Sequence, residues 1–493
     1  MNLSIIRRII GYVLLLEAGL LLLPWVVSLY YREEQGTAYI IVSAVCLVCG
    51  GLLSIRKPRN TVFYLKEGCV ATALSWIALS LFGCIPFMIT GEIPSFLDAL
   101  FETVSGFSTT GASILDDVEA MSHCSLFWRS FTHWIGGMGV LLFIMAVVPL
   151  SGGSNINLLR AESPGPSVSK LAPKMKETAR FLYIFYFAMT IAMILFLVAG
   201  RVPFFDAVTT AFGTAGTGGF SIKRDSIASY SSYAKWVIII FMTLFGVNFN
   251  AYFFAVHRQF KKAFSIEEVR WYFATILVAF GLIFYDLKTM HDSTFKAITD
   301  SAFQVSAVIT TTGFTTDNFD AWPELAKTVI LGLMFIGACA GSTGGGMKIS
   351  RFMVVFKNLL REIHYYIHPK SVRKVKIDGK PISQEIIRTT NIYFITIIFI
   401  FCFSLLLLSL EGNDFSTNFS AVLTTLNNVG PGFSKVGPTG NFAFFTPLSK
   451  IVLIVDMLAG RLELYPILIL LNPTIWKDTL TQTGNGIKRR MSK

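Results

Sequence analysis

The sequence predicts an all-α polytopic membrane protein with about ten transmembrane helices. Its 493 residues are 53% hydrophobic and only 15% charged, and the mean hydropathy of +0.60 is too high for a soluble globular domain. Apolar runs of about 20 residues, enough to cross a hydrocarbon core of about 30 Å, recur along the chain. A short polar motif recurs four times between these runs. Together these observations predict four pseudo-symmetric units around a central pore.

Two apolar runs, residues 5–30 and 38–55, precede the first motif and predict an N-terminal transmembrane hairpin. Arg7 and Arg8 stand before the first run, as they do in a signal peptide. The length of the run, the presence of Pro24 and the lack of a small-residue cleavage site favour a retained helix instead.

The net charge of +12 is distributed in a pattern typical of a membrane protein. Basic residues cluster in alternate connections, whereas the repeated motifs lie in the intervening ones. By the positive-inside tendency, the basic connections and both termini are cytoplasmic and the motifs enter from outside. This distribution indicates that the basic residues flank membrane spans and contact lipid, and it argues against binding of nucleic acid. The longest basic stretch, residues 351–388, is either a docking surface for a partner or only topology-setting charge.

The repeated motif is built around one glycine in each unit, which we place at Gly111, Gly219, Gly313 and Gly432. A hydroxyl residue follows each glycine by two positions. An aspartate precedes the glycine by thirteen positions in the first three units, and Phe419 occupies that position in the fourth. The pattern predicts a first span, a short helix that dips into the membrane, an extended return and a second span. In units 1, 2 and 4 the predicted second spans are 125–150, 234–256 and 442–471.

Backbone that dips into a bilayer must be buried in protein or line a water-filled cavity, because unpaired peptide groups are costly in lipid. Glycine permits a positive φ that turns successive carbonyls toward an axis. Such neutral oxygens favour a large monovalent cation such as potassium over divalent ions, whose sites normally contain carboxylates. The predicted ion-binding residues are Thr109, Thr110, Gly111, Thr217, Gly218, Gly219, Thr311, Thr312, Gly313, Asn428, Gly430, Pro431 and Gly432.

A glycine-rich stretch interrupts the apolar region 325–356. It cannot continue as regular helix, because each glycine costs about 1 kcal/mol relative to alanine. A phosphate-binding P-loop is excluded because Met347 stands where that motif requires lysine. A flexible gating loop at residues 341–348 and a mere helix kink both remain open. The predicted gating residues are Gly341, Ser342, Thr343, Gly344, Gly345, Gly346, Lys348 and, from the last span, Arg461.

Arg461 lies inside the last apolar run, together with Asp456 and Glu463. A charge at the bilayer centre costs about 2.5–3.5 kcal/mol, so such residues face a cavity or form pairs. Arg461 is therefore either a positive charge at the pore constriction or the partner of one of these two carboxylates. His364 and His368 share one helix face and could hold a metal, but an interfacial aromatic and basic helix is the favoured interpretation.

The sequence contains no HExxH motif and no paired intramembrane aspartates, so an enzyme is not expected and no catalytic residue is assigned. No cofactor is expected in this chain. A scaffold or receptor would have no need for four glycine-rich returns.

Several motifs jointly resemble the TrkH branch of the bacterial Trk and Ktr potassium transporters, over essentially the whole chain. They are TTGAS from Thr109, TGGFS from Thr217, TTTGFTT from Thr310, NNVGPGFSKVG from Asn427, GSTGGGMK from Gly341 and DMLAGRLELYP from Asp456. The N-terminal hairpin resembles the extra pair of spans in that branch.

The resemblance implies a location in the bacterial inner membrane. Because the sequence has no Walker motif and no chain of intramembrane carboxylates, we predict gated, channel-like potassium uptake driven by the membrane potential. A homodimer with one pore per protomer and a cytoplasmic TrkA-like RCK regulatory ring are implied too, with the nucleotide (ATP/ADP or NAD(H)) bound by that ring. It also implies that the four motif glycines form the selectivity filter, 337–348 the gating loop and Arg461 the pore arginine. Glycine rather than serine at Gly111 favours potassium over sodium. The alternative is a proton- or sodium-coupled potassium symporter on the same scaffold.

The fourth motif departs from the others, since Pro431 stands where they have Thr110, Gly218 and Thr312, so the symmetry is only approximate. The predicted domains are the hairpin at 1–60, unit 1 at 61–160, unit 2 at 161–265, unit 3 with the gating loop at 266–380, and unit 4 with a cytoplasmic tail at 381–493.

Overall fold

The computed structural model describes residues 1–56, 64–139, 175–291 and 293–476, and these residues are mostly helical. The strands in this part of the chain are two residues each, Lys376–Ile377 and Lys380–Pro381, and they pair antiparallel. The prediction of an all-α polytopic membrane protein is confirmed.

The N-terminal hairpin consists of the helices Leu3–Leu20, Leu22–Tyr31 and Gly36–Ile55. Its two spans cross at a pair of glycines. A Cβ atom on Gly11 would stand 2.9 Å from the Gly50 carbonyl oxygen, and one on Gly50 would stand 2.8 Å from that of Gly11. Small residues allow close approach of backbones in lipid, where packing drives helix association. The glycine pair therefore sets the spacing of this hairpin.

A long helix followed by a short one occurs four times after the hairpin. The long ones, here called the first helices, are Leu65–Gly83 (continued by Ile85–Ile89), Met175–Ala199, Glu267–Leu287 and Gln384–Leu408. The short helices are Phe96–Phe107, Phe204–Gly216, Thr294–Ile309 and Phe415–Leu426. They contain 12 to 16 residues and, at about 1.5 Å per residue, cannot cross a bilayer core of about 30 Å.

Four second helices follow the short helices, and those of units 2, 3 and 4 are interrupted within the described residues. They are His123–Met138, Ser232–Phe245, Glu324–Ile336 and Pro447–Arg461. After the interruption, unit 2 continues with the helices Phe249–Val256 and Phe260–Ser265, unit 3 with Ile349–Ile367 and unit 4 with Tyr465–Leu471. Single 3₁₀ turns occur at Phe319–Ala321, Ser409–Glu411 and Ser434–Val436.

The sequence predicted an interruption only in unit 3, so the predicted continuous spans 234–256 and 442–471 are wrong. In unit 2 the chain bends by 94° between Phe245 and Phe249. In unit 4 the helix is broken by Glu463 and Leu464, which have φ values of 58° and 67°. In unit 1, Gly139 ends the helix with φ 80°, and the rest of the predicted span 125–150 lies outside the described residues.

Six described helical segments are long and apolar enough to cross a membrane, or seven if the bent pair of unit 2 is one span. The predicted total of about ten depends on counting the interrupted second helices as spans.

The four units close into a ring in chain order. The second helix of each unit packs against the short helix of the next unit, and that of unit 4 packs against the short helix of unit 1. An ion pair at this last contact joins Lys450 Nζ to Asp98 Oδ1 at 2.6 Å. The short helices therefore surround the centre of the molecule, where their residues are largely buried.

Candidate cation site

The segments that follow the four short helices share one backbone conformation. A non-glycine residue with φ between 54° and 57° comes first: Thr109, Thr217, Thr311 and Asn428. Two positions later, a glycine has φ between 76° and 95°: Gly111, Gly219, Gly313 and Gly430. These four segments are here called the return segments.

The first part of this conformation ends each short helix. The amide that follows the left-handed residue donates to a carbonyl five residues earlier, as in Thr312 N to Ala307 O at 2.8 Å and Val429 N to Thr424 O at 2.8 Å. This 6→1 bond defines a Schellman motif, in which glycine is usual at the left-handed position. Threonine or asparagine at that position costs of order 1–3 kcal/mol. The same strain recurs in all four units, so the surrounding packing enforces it.

The glycines of the return segments pack against one another in a closed cycle. A Cβ atom on Gly111 would stand 2.0 Å from the Gly218 carbonyl oxygen, and one on Gly219 would stand 1.9 Å from that of Thr312. The corresponding distances are 2.1 Å from Gly313 to Val429 and 2.7 Å from Gly430 to Thr110. Each glycine therefore touches the carbonyl of the next unit, and the fourth returns to the first. These four glycines and the carbonyls of the return segments are here called the carbonyl ring, or the ring. Any side chain at the four glycine positions would force the ring apart.

The carbonyl oxygens of the return segments lack hydrogen-bond donors. In the described residues, no hydrogen bond ends on the carbonyl of a left-handed residue, of its successor or of the following glycine in any unit. The left-handed residues are fully buried, with 0% of their surface exposed. Buried backbone carbonyls are nearly always paired with protein or water. Ten of the twelve residues concerned are buried, and Gly111 and Gly219 are half-buried. Twelve carbonyls without a donor at the centre of four units indicate a site for an electropositive ligand.

The predicted register of the fourth return segment is wrong by two residues. Gly430, not Gly432, has the positive φ and completes the cycle. Gly432 instead donates its amide to the Val436 carbonyl at 2.7 Å. The residue equivalent to Thr110 is Val429 rather than Pro431. With this register, Thr417 rather than Phe419 is equivalent to the aspartates of the other units.

A cavity of about 900 Å³ lies on one side of the ring and is lined by Gly111, Gly219, Gly313 and Gly430. It is here called the outer cavity, and the opposite side of the ring the inner side, after the orientation predicted from the sequence. Glu102 and Arg129 support the wall of the outer cavity. Arg129 Nε lies 2.5 Å from Glu102 Oε1, and its Nη1 donates to the Ser221 carbonyl at 2.7 Å. Glu102 also accepts the Ile114 amide at 2.9 Å. This nearly fully buried pair therefore ties the first return segment to the second.

The predicted gating loop lies directly against the other side of the ring. The Gly345 amide donates to Thr311 Oγ1 at 2.6 Å, and a Cβ atom on Gly345 would stand 2.9 Å from the Asn427 carbonyl oxygen. Lys348 Nζ donates to the Gly344 carbonyl within the loop. Gly337, Gly341 and Gly346 have φ between 69° and 75°. The loop is thus a defined structure under the return segments and not a simple kink.

The base of the loop is anchored to units 2 and 3. Glu268 of the first helix of unit 3 accepts the Ala340 amide at 2.6 Å and Asn248 Nδ2 at 2.9 Å. The Thr343 side chain donates to the Phe245 carbonyl at 3.2 Å. Neutral and charged groups therefore both hold the loop in this position.

Arg461 joins the gating loop to unit 1. Its Nη1 donates to the Thr343 carbonyl at 3.0 Å, and its Nη2 donates to the carbonyls of Gly136 and Gly137 at 2.6 and 2.8 Å. The two carboxylates considered as its partners are engaged elsewhere. Asp456 accepts from Ser404 at 2.8 Å, and Glu463 pairs with Arg351.

An inner cavity of about 90 Å³ lies below the ring, between the gating loop and Arg461. Lys348, Arg461 and Glu463 line this cavity, whereas the outer cavity is lined by three basic and three acidic side chains. The inner cavity is therefore smaller, and its lining has an excess of basic groups.

Some of these residues could not be found from the sequence. Val429 could not be identified from its residue type, because it contributes only its backbone carbonyl to the site, and every residue has one. Glu102 and Arg129 are 27 positions apart and could have been suspected only as charges in apolar segments.

Fold and site define the class of the protein: a polytopic membrane transport protein in which four re-entrant segments surround one axis. A family model described as TrkH, cation transport protein, matches residues 35–478. The Trk system potassium uptake protein TrkH of Salmonella typhimurium is 34% identical over 97% of this chain and 100% of its own length. Trk system potassium uptake protein TrkG of Escherichia coli is 30% identical over 97% of this chain and 99% of its length.

The crystal structure of the potassium transporter TrkH from Vibrio parahaemolyticus superposes with a TM-score of 0.87 at 32% identity, over 97% of this chain and 100% of that one. The chain belongs to the TrkH family of cation transport proteins. It is a transport protein and not an enzyme.

Proposed function

We propose that this chain conducts potassium into the bacterial cytoplasm through the carbonyl ring, as a gated, channel-like uptake pathway. The main support is the set of buried carbonyls without donors, arranged in four-fold order below the outer cavity. An unsatisfied buried polar group costs about 1–3 kcal/mol, so a cation that replaces the missing donors is strongly favoured. The relatives named above are potassium uptake proteins, which supports potassium as the transported ion.

The proposed ion-binding residues follow the corrected register. They are Thr109, Thr110, Gly111, Thr217, Gly218, Gly219, Thr311, Thr312, Gly313, Asn428, Val429 and Gly430. All of them offer neutral oxygens, which suits a weakly hydrated monovalent cation better than a divalent one. The C-terminal, partially negative ends of the four short helices also meet at this ring and add to the attraction.

The membrane potential supplies the driving force in this proposal. An inside-negative potential favours entry of one monovalent cation by about 2.3 kcal/mol per 100 mV, which corresponds to a roughly fifty-fold concentration ratio. Uptake against a moderate gradient then requires no coupling ion.

The gate in this proposal is the loop 337–348 together with Arg461. The loop blocks the inner side of the ring, where the Gly345 amide contacts Thr311. Arg461 holds the loop through Thr343 and adds a positive charge beside the path. Opening would require the loop to leave the ring, which its left-handed glycines permit because they move with little steric cost.

The setting of the pore follows the sequence expectations. We place the chain in the bacterial inner membrane with both termini cytoplasmic, as a homodimer with a pore in each protomer. A TrkA-like RCK ring that binds ATP/ADP or NAD(H) would dock on the cytoplasmic face. A cluster of exposed basic residues supports this docking: Lys370, Arg373, Lys374, Lys376 and Lys380.

Flux measurements on the purified chain in proteoliposomes test the proposal. Rubidium tracer uptake should follow an imposed inside-negative potential and should be inhibited more strongly by external potassium than by sodium. At zero voltage and symmetric potassium, an imposed pH or sodium gradient should drive no net uptake. Uptake driven by either gradient would favour the symporter, and equal inhibition by sodium would refute a potassium filter. A change of flux when the nucleotide-loaded partner ring is added would support regulation.

A further inference from the structure

A cluster of one histidine and two aspartates lies at the outer end of unit 3, away from the ring axis. Ligand atoms of His291, Asp300 and Asp317 all lie within 4.8 Å of one another. His291 Nε2 is 3.7 Å from Asp300 Oδ2 and also 3.7 Å from Asp317 Oδ2. These residues come from three segments: the loop before the short helix, the short helix itself and the chain just after the return segment.

Two of the facing atoms are buried without a partner. The side chains of His291 and Asp300 are only 7% and 3% exposed, yet His291 Nε2 and Asp300 Oδ2 make no hydrogen bond within the described chain. Both atoms point into the cluster. A buried polar atom without a partner is rare and costly, so the cluster has the features of a ligand site.

The equivalent aspartates of the other units show what Asp300 lacks. In unit 1, Asp98 is paired with Lys450 at 2.6 Å. In unit 2, Asp206 accepts a hydrogen bond from the Tyr230 hydroxyl at 2.9 Å. In unit 3, Asp300 Oδ2 has no hydrogen-bond donor in the described chain. It faces the imidazole of His291 at 3.7 Å, and this imidazole lies equally far from a second carboxylate. Two carboxylates so close together call for a shared cation.

We propose that His291, Asp300 and Asp317 bind a divalent transition-metal ion of the Zn²⁺ class. Imidazole nitrogen and carboxylate oxygen are normal zinc ligands, and three protein ligands leave a fourth position for water. Tetrahedral zinc with bonds of about 2.0–2.1 Å has ligands roughly 3.3–3.4 Å apart. The two 3.7 Å spacings from His291 therefore need to close by a few tenths of an ångström. The two carboxylates, which lie within 4.8 Å of each other, need to approach by at most about 1.5 Å. The Asp317 side chain is 28% exposed, which gives the ion access from outside.

The surrounding groups already orient two of the ligands. Thr316 Oγ1 donates to Asp300 Oδ1 at 2.9 Å, leaving Oδ2 for the metal. Trp322 Nε1 donates to Asp317 Oδ2 at 3.0 Å. Hydrogen bonds of this kind fix ligand orientation, and their loss typically weakens metal binding by about 10–100-fold. A bound ion would join the short helix of unit 3 to the chain that leaves its return segment.

Metal binding to the full-length chain in detergent, with any affinity tag removed, tests this inference independently of transport. The background protein should carry Ala at His364 and His368 and Ser at Cys402, because these could bind metal elsewhere. Zn²⁺ is titrated by equilibrium dialysis, and Co²⁺ is used as a spectroscopic probe of tetrahedral coordination. We expect one saturable site per chain, a tetrahedral Co²⁺ spectrum and a higher unfolding temperature with Zn²⁺.

Three variants locate the site. H291A and D317N should each lose at least tenfold in Zn²⁺ affinity together with the Co²⁺ spectrum, and W322F should lose roughly tenfold. H257A, which removes an exposed histidine elsewhere, is the control and should bind normally. If H291A and D317N bind Zn²⁺ as tightly as H257A, or if the background protein binds none, the inference is wrong. Size-exclusion elution of each variant checks that it is folded.

Discussion

Arg461 allows the gating proposal to be tested by separating its charge from its hydrogen bonds. Arg461→Lys keeps the positive charge but cannot reproduce the two-pronged contact with three carbonyls. Arg461→Gln loses both the charge and most of the contacts. Among the hydrogen bonds described for Arg461, the one to Thr343 holds the gating loop, whereas those to Gly136 and Gly137 attach the arginine to unit 1.

The size of the effect follows from that one contact. A hydrogen bond from a charged donor is worth about 1.5–3 kcal/mol. At about 1.4 kcal/mol per factor of ten, its loss shifts the balance between the blocked and released loop by roughly 10–150-fold. Both variants should therefore increase basal flux. Gln should increase it more than Lys, because it also removes a positive charge from the cation path.

Tracer rubidium uptake into proteoliposomes at fixed voltage, without any partner protein, measures this effect. Arg32→Gln alters an exposed arginine in the connection between the two spans of the N-terminal hairpin and serves as the control. If Lys behaves like the parent and only Gln raises flux, the charge acts without the loop contact. If neither variant changes flux, Arg461 is not part of the gate.

Two further predictions concern unit 4. Gly430→Ala would place its Cβ 2.7 Å from the Thr110 carbonyl oxygen and should reduce potassium selectivity, whereas Gly432→Ala would meet the Ser420 side chain and should lower only stability. Competition of sodium with rubidium uptake, measured beside thermal stability, distinguishes the two variants. The opposite result would show that Gly432, not Gly430, belongs to the ring. Asp414 caps the last short helix, and the side-chain hydroxyl and backbone amide of Thr417 lower the pKa of its carboxyl. Its contribution, near the low end of about 0.5–2 kcal/mol for an exposed cap, should thus be present above the unfolded pKa and vanish as pH falls through the lower folded pKa. The difference in unfolding temperature between the parent and Asp414→Ala should disappear on acidification, and a difference that grows would contradict this.

In three of the four predicted return segments the sequence identified the glycine with the positive φ, because each of these segments places threonine and glycine at the same spacing. In the fourth, two glycines flank Pro431, and counting back from Ser434 selected the wrong one. The informative residue was Asn428. Asparagine tolerates the left-handed conformation better than most residues, so it marks the end of the short helix as threonine does elsewhere.

The interruptions of the second helices were harder to predict. Gly337 lies in a glycine-rich stretch and was recognised, but Glu463 and Leu464 carry no local signal for a positive φ. Their conformation is imposed by packing below the ring. The hydrogen-bond partners of Arg461 could not be predicted from the sequence either, because they are backbone carbonyls 118 to 325 positions away in the chain.

The central claim is that the carbonyl ring selects the transported cation, and Gly313→Ser tests it most directly. A Cβ atom there would stand 2.1 Å from the Val429 carbonyl oxygen. Gly91→Ser is the matched control, because Gly91 has the same φ of 76° but no atom within 4 Å of its Cβ position. In proteoliposome flux measurements, Gly313→Ser should lose much of the preference for potassium over sodium, while Gly91→Ser keeps it. An unchanged preference in folded Gly313→Ser would show that the ring is not the filter.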